Sequence, residues 1–195
     1  MGMTTYVINR DDRPERLRDT IEELRKAGMN ARRFPAIVDK PGWKGCRDSH
    51  LAVMELCRNE KYFMVLEDDV EFLVDPSPVM IKAVEQLPKD WDMLYMGLNP
   101  QKPQERYSEN LFKVNGAYCT HAILWNNRFG GALKYTLLNK ADILKIDVFF
   151  SAVIHPNFNC FATYPMIATQ KQSKSDCCSR SDLSVLVKNY NKYCI

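Results

Sequence analysis

The sequence predicts one α/β domain built on a central, mostly parallel mixed sheet with helices on its faces, and three observations carry that prediction. Short β-branched and aromatic runs alternate with segments whose apolar residues recur at helical spacing. One run, "YFMVLE" at 62–67, is apolar over a whole strand's length, as a central strand covered on both faces requires. The chain of 195 residues, 46% hydrophobic and 26% charged, is long enough for one sizeable core and has no Gly/Ser-rich or low-complexity stretch. No internal repeat or domain boundary is evident, so residues 1–195 read as one domain.

"TTYVIN" at 4–9 is a strand entering a helix over 11–28, where Leu17, Ile21 and Leu24 share a face. Asp12 and Glu15 have capping-box spacing, Pro14 suits the first turn, and Gly28 is placed for a left-handed cap. A short strand over 31–37 follows. The Gly/Pro-interrupted loop "VDKPGWKG" then leads to a helix over 46–60 that turns Leu51, Met54 and Cys57 inward.

After the 62–67 strand, "PSPVMIKAVEQL" at 76–87 has helical spacing with proline at its start. "WDMLYMG" at 91–97 reads as the next strand and 101–110 as a polar loop. Residues 110–126 read as two strands broken at the turn pair Asn115-Gly116. A helix over 127–144, weakened by Gly130 and Gly131, and a last helix over 183–193 complete the chain.

A net charge of +3, scattered among acids, gives no continuous basic face and argues against nucleic acid. The seven cysteines (46, 57, 119, 160, 177, 178, 194) contain no C-x-x-C pair, and no signal peptide or spanning run precedes the first strand. Reduced thiols and a cytoplasmic setting are expected, with Cys177-Cys178 read as surface thiols.

"VLEDDVEF" at 65–72 places Glu67, Asp68 and Asp69 at the carboxyl end of the most apolar strand, where open α/β sheets gather ligands. Three adjacent carboxylates repel one another unless a cation or donors neutralise them. Oxygen-only ligands suit Mg²⁺ or Mn²⁺, which complete their shells with water and substrate phosphates. A surface turn rich in Asp is the plain alternative.

Read in order, "YVINRDDRPERL", "GCRDSHLAVMELC", "VLEDDVEF", "WDMLYMG", "AYCTHAILW" and "IDVFFS" resemble the blocks of family 25 glycosyltransferases across residues 4–172. That family includes lipooligosaccharide and collagen galactosyltransferases, with relatives in large DNA viruses, for which the setting would be host cytoplasm. The resemblance implies a GT-A type nucleotide-sugar-binding fold. It also implies inverting, metal-dependent transfer of a hexose, galactose or glucose from a UDP-sugar, to a glycan or glycoprotein acceptor. Lipooligosaccharide and a viral capsid or collagen-like protein are examples, and the acceptor could bring the enzyme to a membrane face.

The same resemblance assigns candidate roles. Asp69 and Glu67 hold Mn²⁺ or Mg²⁺, with Glu67 and Asp68 also toward the donor. Asn9 and Arg13 lie on the loop that receives the nucleotide. Ser49 and His50 match the "GC..SH" block at the donor site, with a loop-bracing histidine as the other reading of His50. Asp147 is the catalytic base, with a helix cap or a salt-bridged core acid as the alternatives. Gln170 and Ser173 line the pocket, and the 170–195 tail is a candidate mobile lid. Arg16 is read as a phosphate contact or a solvated first-turn residue, His155 as a further metal ligand or a loop residue, Cys46 as packing, Trp43 as a stacking candidate for sugar or uracil, and Tyr95 and Trp125 as core aromatics.

The sequence departs from the family in being short and in placing His121 where an aromatic residue is usual, which leaves the acceptor least defined. A sugar nucleotidyltransferase would share the acidic site, but "VINRDDRPER" lacks the glycines of a phosphate loop. A degenerate glycosyltransferase-like domain that binds nucleotide or a partner without turnover is the non-enzymatic alternative.

Overall fold

The computed structural model describes residues 3–127, 131–171 and 184–194; Gly130, Ser173, Cys177 and Cys178 lie outside them. The chain opens with β1 (Thr4–Asn9), α1 (Pro14–Lys26), β2 (Arg32–Pro35), α2 (Gly42–Leu56) and β3 (Tyr62–Glu67). β4 (Val70–Phe72), α3 (Pro76–Gln86), β5 (Met93–Tyr95), β6 (Asn99–Pro100), β7 (Glu105–Ser108), β8 (Leu111–Lys113), β9 (Ala117–Tyr118) and β10 (Ala122–Asn126) follow. Then come α4 (Ala132–Leu138), a 3-10 turn (Lys140–Asp142), and a helix that runs as α5 (Ile146–Phe149), a π-helical stretch (Phe150–Ile154) and α6 (His155–Asn157). β11 (Cys160–Thr163), β12 (Ala168–Gln170) and α7 (Ser184–Tyr193) complete the described part.

Eight strands form one sheet in the order β2-β1-β3-β10-β5-β11-β8-β7, in which β10 and β8 run against the others. This is the mostly parallel α/β arrangement expected. β3 shows why its sequence is apolar throughout: Phe63 and Val65 face one hydrophobic cluster, Met64 and Leu66 the other. The first cluster takes Met54 of α2, Leu133 of α4, Phe150 and Tyr190 of α7; the second takes Leu24 of α1 and Ala83 of α3. Among the described residues no helix is long and apolar enough to cross a membrane.

Several boundaries depart from the sequence reading. The 4–9 and 62–67 strands stand as expected, and Gly28, at φ +65°, ends α1 with its N–H on Arg25 O and the Met29 N–H on Leu24 O. The capping box does not form: Asp12 accepts from Arg10 at 2.8 and 2.7 Å, and the N-cap is Arg13, whose side chain does not cap the helix. α2 begins at Gly42, because Pro41 serves as its N-cap and Gly45 lies inside the helix, where a Cβ would stand 2.3 Å from Ile37 O.

The 101–110 loop contains β7, polar because it is an edge strand. Gly116 is left-handed (φ +69°), but β8 and β9 join different sheets, so Asn115-Gly116 is not a hairpin turn. The described helix in 127–144 is only α4, since the Asp92 carboxylate accepts the Ala132 N–H at 2.9 Å and fixes its start.

Gly97, just past β5, is required by close approach. A Cβ there would lie 1.8 Å from Ala168 O and 2.9 Å from His121 Nε2. Gly97→Ala is therefore expected to cost on the order of 3 kcal/mol by overpacking against backbone, read as a lowered midpoint in urea unfolding. An unchanged midpoint would show that β12 yields freely.

Candidate active site

The carboxyl ends of β1, β3 and β5 meet the amino end of β10 along one edge of the sheet, and the three acids leave β3 there. Glu67 ends β3 with its N–H on His121 O at 2.9 Å. Its Oε1 accepts from the Thr120 hydroxyl at 2.6 Å and lies 3.1 Å from His50 Nε2. Burial raises the Glu67 pKa, but the bond and charge of His50 and the Thr120 hydroxyl outweigh it and hold the carboxyl below its ordinary value.

The turn into β4 splays the other two acids. Asp68 faces α1, where its carboxylate accepts from Asn9 Nδ2 at 2.7 Å and Arg16 Nη1 at 3.2 Å, and its backbone oxygen accepts from Thr20 Oγ1 at 2.9 Å. Burial pushes the Asp68 pKa up against these two donors. Asp69 faces β12: its backbone oxygen takes the Lys171 N–H at 2.6 Å, and both carboxylate oxygens lie 3.3 Å from Gln170 Nε2. Burial, then the charge of Glu67, pushes the Asp69 pKa up to about 7, and Glu67 acts on it more strongly than the adjacent Asp68. Glu67 and Asp69 thus form one half-buried acidic pair while Asp68 anchors the turn.

The other sequence candidates divide between this edge and its supports. Asn9 is 1% exposed; besides Asp68 it donates to Arg13 O at 3.0 Å and accepts from Arg33 Nε at 3.0 Å. Arg13, half-buried, caps α1 beside it. Ser49 is fully buried, donating to Gly45 O at 2.7 Å and accepting from Ile37 N at 2.8 Å, so its hydroxyl braces α2 against the preceding loop. His50 grips Glu67, and Gln170 reaches Asp69.

Asp147, in the first turn of α5, accepts the Val148 N–H at 2.9 Å. Burial raises its pKa, the Val148 N–H opposes the rise, and the charge of Glu67 adds to it; Asp147 in turn acts on Tyr95 at the end of β5. An acid 80 residues from Glu67 in sequence therefore shares the electrostatic environment of the β3 edge.

His155 is a core residue. Its Nε2 lies 2.9 Å from Tyr95 Oη, its Nδ1 accepts from Ala117 N at 3.4 Å, and burial holds its pKa at about 3. Both nitrogens are engaged, so it is not a metal ligand as it stands. Tyr95 and Trp125 are buried in the core, Arg47 lies over the Trp43 ring at 5.4 Å, and Arg16 pairs with Asp68.

Sequence reasoning missed Thr120. The preceding residue, Cys119, has φ +76°, an uncommon conformation for a non-glycine residue, and the turn it makes brings Thr120 onto Glu67. Only the antiparallel pairing of β10 with β3 reveals that contact.

No protein-family model and no curated protein sequence matches the chain. Its fold is similar to that of A197 from STIV, with a TM-score of 0.55 and 13% identity over 89% of this chain and 87% of that one. It is also similar to a glycosyltransferase involved in the glycosylation of the major capsid of PBCV-1, with a TM-score of 0.51 and 11% identity over 83% and 81% of the two chains. At these identities the likeness is one of fold.

Proposed function

We propose that the chain is a metal-dependent inverting glycosyltransferase that moves a hexose, galactose or glucose, from a UDP-sugar to a hydroxyl of a glycan or glycoprotein, as its motif resemblance to family 25 implies. The observation that carries this reading is the half-buried acidic pair Glu67 and Asp69 at the carboxyl edge of the sheet, where the charge of Glu67 helps to raise the Asp69 pKa. The fold shared with a capsid-glycosylating enzyme supports the same class of reaction.

Mn²⁺ or Mg²⁺ fits this pair, because both donors are carboxylate oxygens and Asp69 resists ionisation without a neighbouring cation. Held by Asp69 and Glu67, the ion would supply Lewis-acid neutralisation of the departing nucleoside diphosphate. The protein's own side chains do the rest. His50 and Thr120 fix Glu67, Gln170 steadies Asp69, and Asn9 with Arg16 locks the turn between them. Arg13, on the β1–α1 loop, is the cation offered to the donor phosphates. Asp147 accepts the proton of the acceptor hydroxyl as the sugar is attacked opposite the leaving group. An acceptor on a lipid-linked glycan would bring the enzyme to a membrane face.

Incubation with a panel of UDP- and GDP-hexoses, with and without Mn²⁺, tests the reading. Mn²⁺-dependent release of UDP from one UDP-hexose is expected. Neither turnover nor donor binding with any sugar nucleotide would overturn it in favour of a domain that binds a partner without turnover.

A further inference from the structure

Cys46 and His50 are one turn apart on α2 and share a face, which meets the end of β3. The Cys46 sulfur, a His50 ring nitrogen and a Glu67 carboxylate oxygen all lie within 4.8 Å of one another. His50 is 1% exposed, and while its Nε2 faces Glu67, its Nδ1 has no hydrogen-bond partner among the described residues. Nε2 is the ring nitrogen that faces Glu67, so an ion shared with that carboxylate takes the place of the proton between them, and the ring's remaining proton sits on Nδ1. Cys46 and Glu67 are each partly open to solvent, so an ion has a way in.

We infer that Cys46, His50 and Glu67 form a Zn²⁺-class site beside the acidic pair. One sulfur, one imidazole nitrogen and one carboxylate oxygen, with a fourth position for water, are a ligand set that Zn²⁺ accepts. A thiolate disfavours Mg²⁺ and Mn²⁺, so this group and the all-oxygen pair select different ions. A Cys/His pair at i and i+4 is held in place by the helix itself, and binding releases the Cys46 thiol proton to solvent. Because Glu67 belongs to both groups, Zn²⁺ bound here withdraws it from Asp69, and micromolar Zn²⁺ is expected to inhibit any Mn²⁺-dependent turnover. The site itself does not rest on the transferase reading, since its occupancy is measured without substrate.

Titration of the reduced, chelator-treated full chain with Co²⁺ tests it. Near-ultraviolet thiolate-to-cobalt absorption with intense tetrahedral visible bands should saturate at about one equivalent and be bleached by Zn²⁺. The bands should vanish in Cys46→Ser, weaken at least about tenfold in affinity in His50→Gln, and persist in Asp69→Asn. Bands absent from the wild type, or surviving Cys46→Ser, overturn the site. Should Cys46→Ser fail to fold, X-ray absorption of the Zn²⁺-loaded wild type decides: one sulfur at about 2.3 Å among nitrogen and oxygen ligands is expected, and no sulfur or several overturns the assignment. Absence of donor hydrolysis would overturn the proposed transferase and leave these outcomes as they are.

Discussion

Asp69→Asn is expected to lower Mn²⁺-dependent donor hydrolysis by about 10³-fold while making the metal-free protein more stable. The activity loss follows from removing one of the two carboxylates that would hold the ion at the end of β3, on the scale of deleting a preorganised electrostatic contact to a leaving anion. The stability gain follows from the environment of Asp69, where burial and Glu67 set its pKa at about 7 against an ordinary 3.8. An acid whose folded pKa is raised burdens the folded state fully above pH 7. The burden shrinks as pH falls toward 3.8, because the folded state then takes up the proton first, and it is absent below that value.

The gain from asparagine should therefore be largest near pH 8 and vanish by about pH 4. Asp69 is partly open to solvent, so screening reduces the gain to about 1–2 kcal/mol. Thermal melts in chelator at the two pH values measure it. Mn²⁺ should raise the wild-type midpoint and leave the variant's unchanged. A variant less stable at pH 8 than the wild type would show that Asp69 is structural, held for its contact with Gln170 rather than for a cation.

The division of labour among the three acids marks the limit of what the sequence made legible. Their position was readable, because an apolar run of strand length ending in carboxylates says where a sheet edge lies. Their separate roles were not, because Asn9 and Arg16 are 59 and 52 residues from Asp68, and Gln170 is 101 from Asp69. Local signals succeeded where local physics decides the outcome, as with Gly28 in its left-handed cap and Pro14 in the first turn of α1. They failed where a distant group won. Arg10 took the Asp12 carboxylate from its cap, and β8 made a strand of the polar residues 105–108. Gly45, read as a loop residue, is a helical position that must be small because the Ile37 carbonyl crosses it. Ser49 and His50, adjacent in one motif, part in the same way: Ser49 turns into the protein to brace a loop, whereas His50 reaches the acid edge.

Asp147→Asn separates chemistry from binding at that edge. The amide preserves the shape of the side chain and its bond from Val148 N–H, so the first turn of α5 should stand. It cannot accept a proton, and loss of a general base is worth roughly 10²–10⁴ in kcat. Donor binding measured by calorimetry in Mn²⁺ should stay within about twofold, in contrast to Asp69→Asn. The pH profile carries the sharper signature. Burial, reinforced by Glu67, holds the Asp147 pKa above its ordinary 3.8, so wild-type kcat should climb as pH rises through that elevated value. In Asp147→Asn that limb should disappear, and Asp147→Glu should restore part of it. If Asp147→Asn keeps both kcat and the acidic limb, the carboxylate is only a helix-turn residue, and the base must be sought among the other acids of the edge. If kcat falls together with donor affinity and thermal stability, Asp147 positions the site through α5 rather than moving the proton.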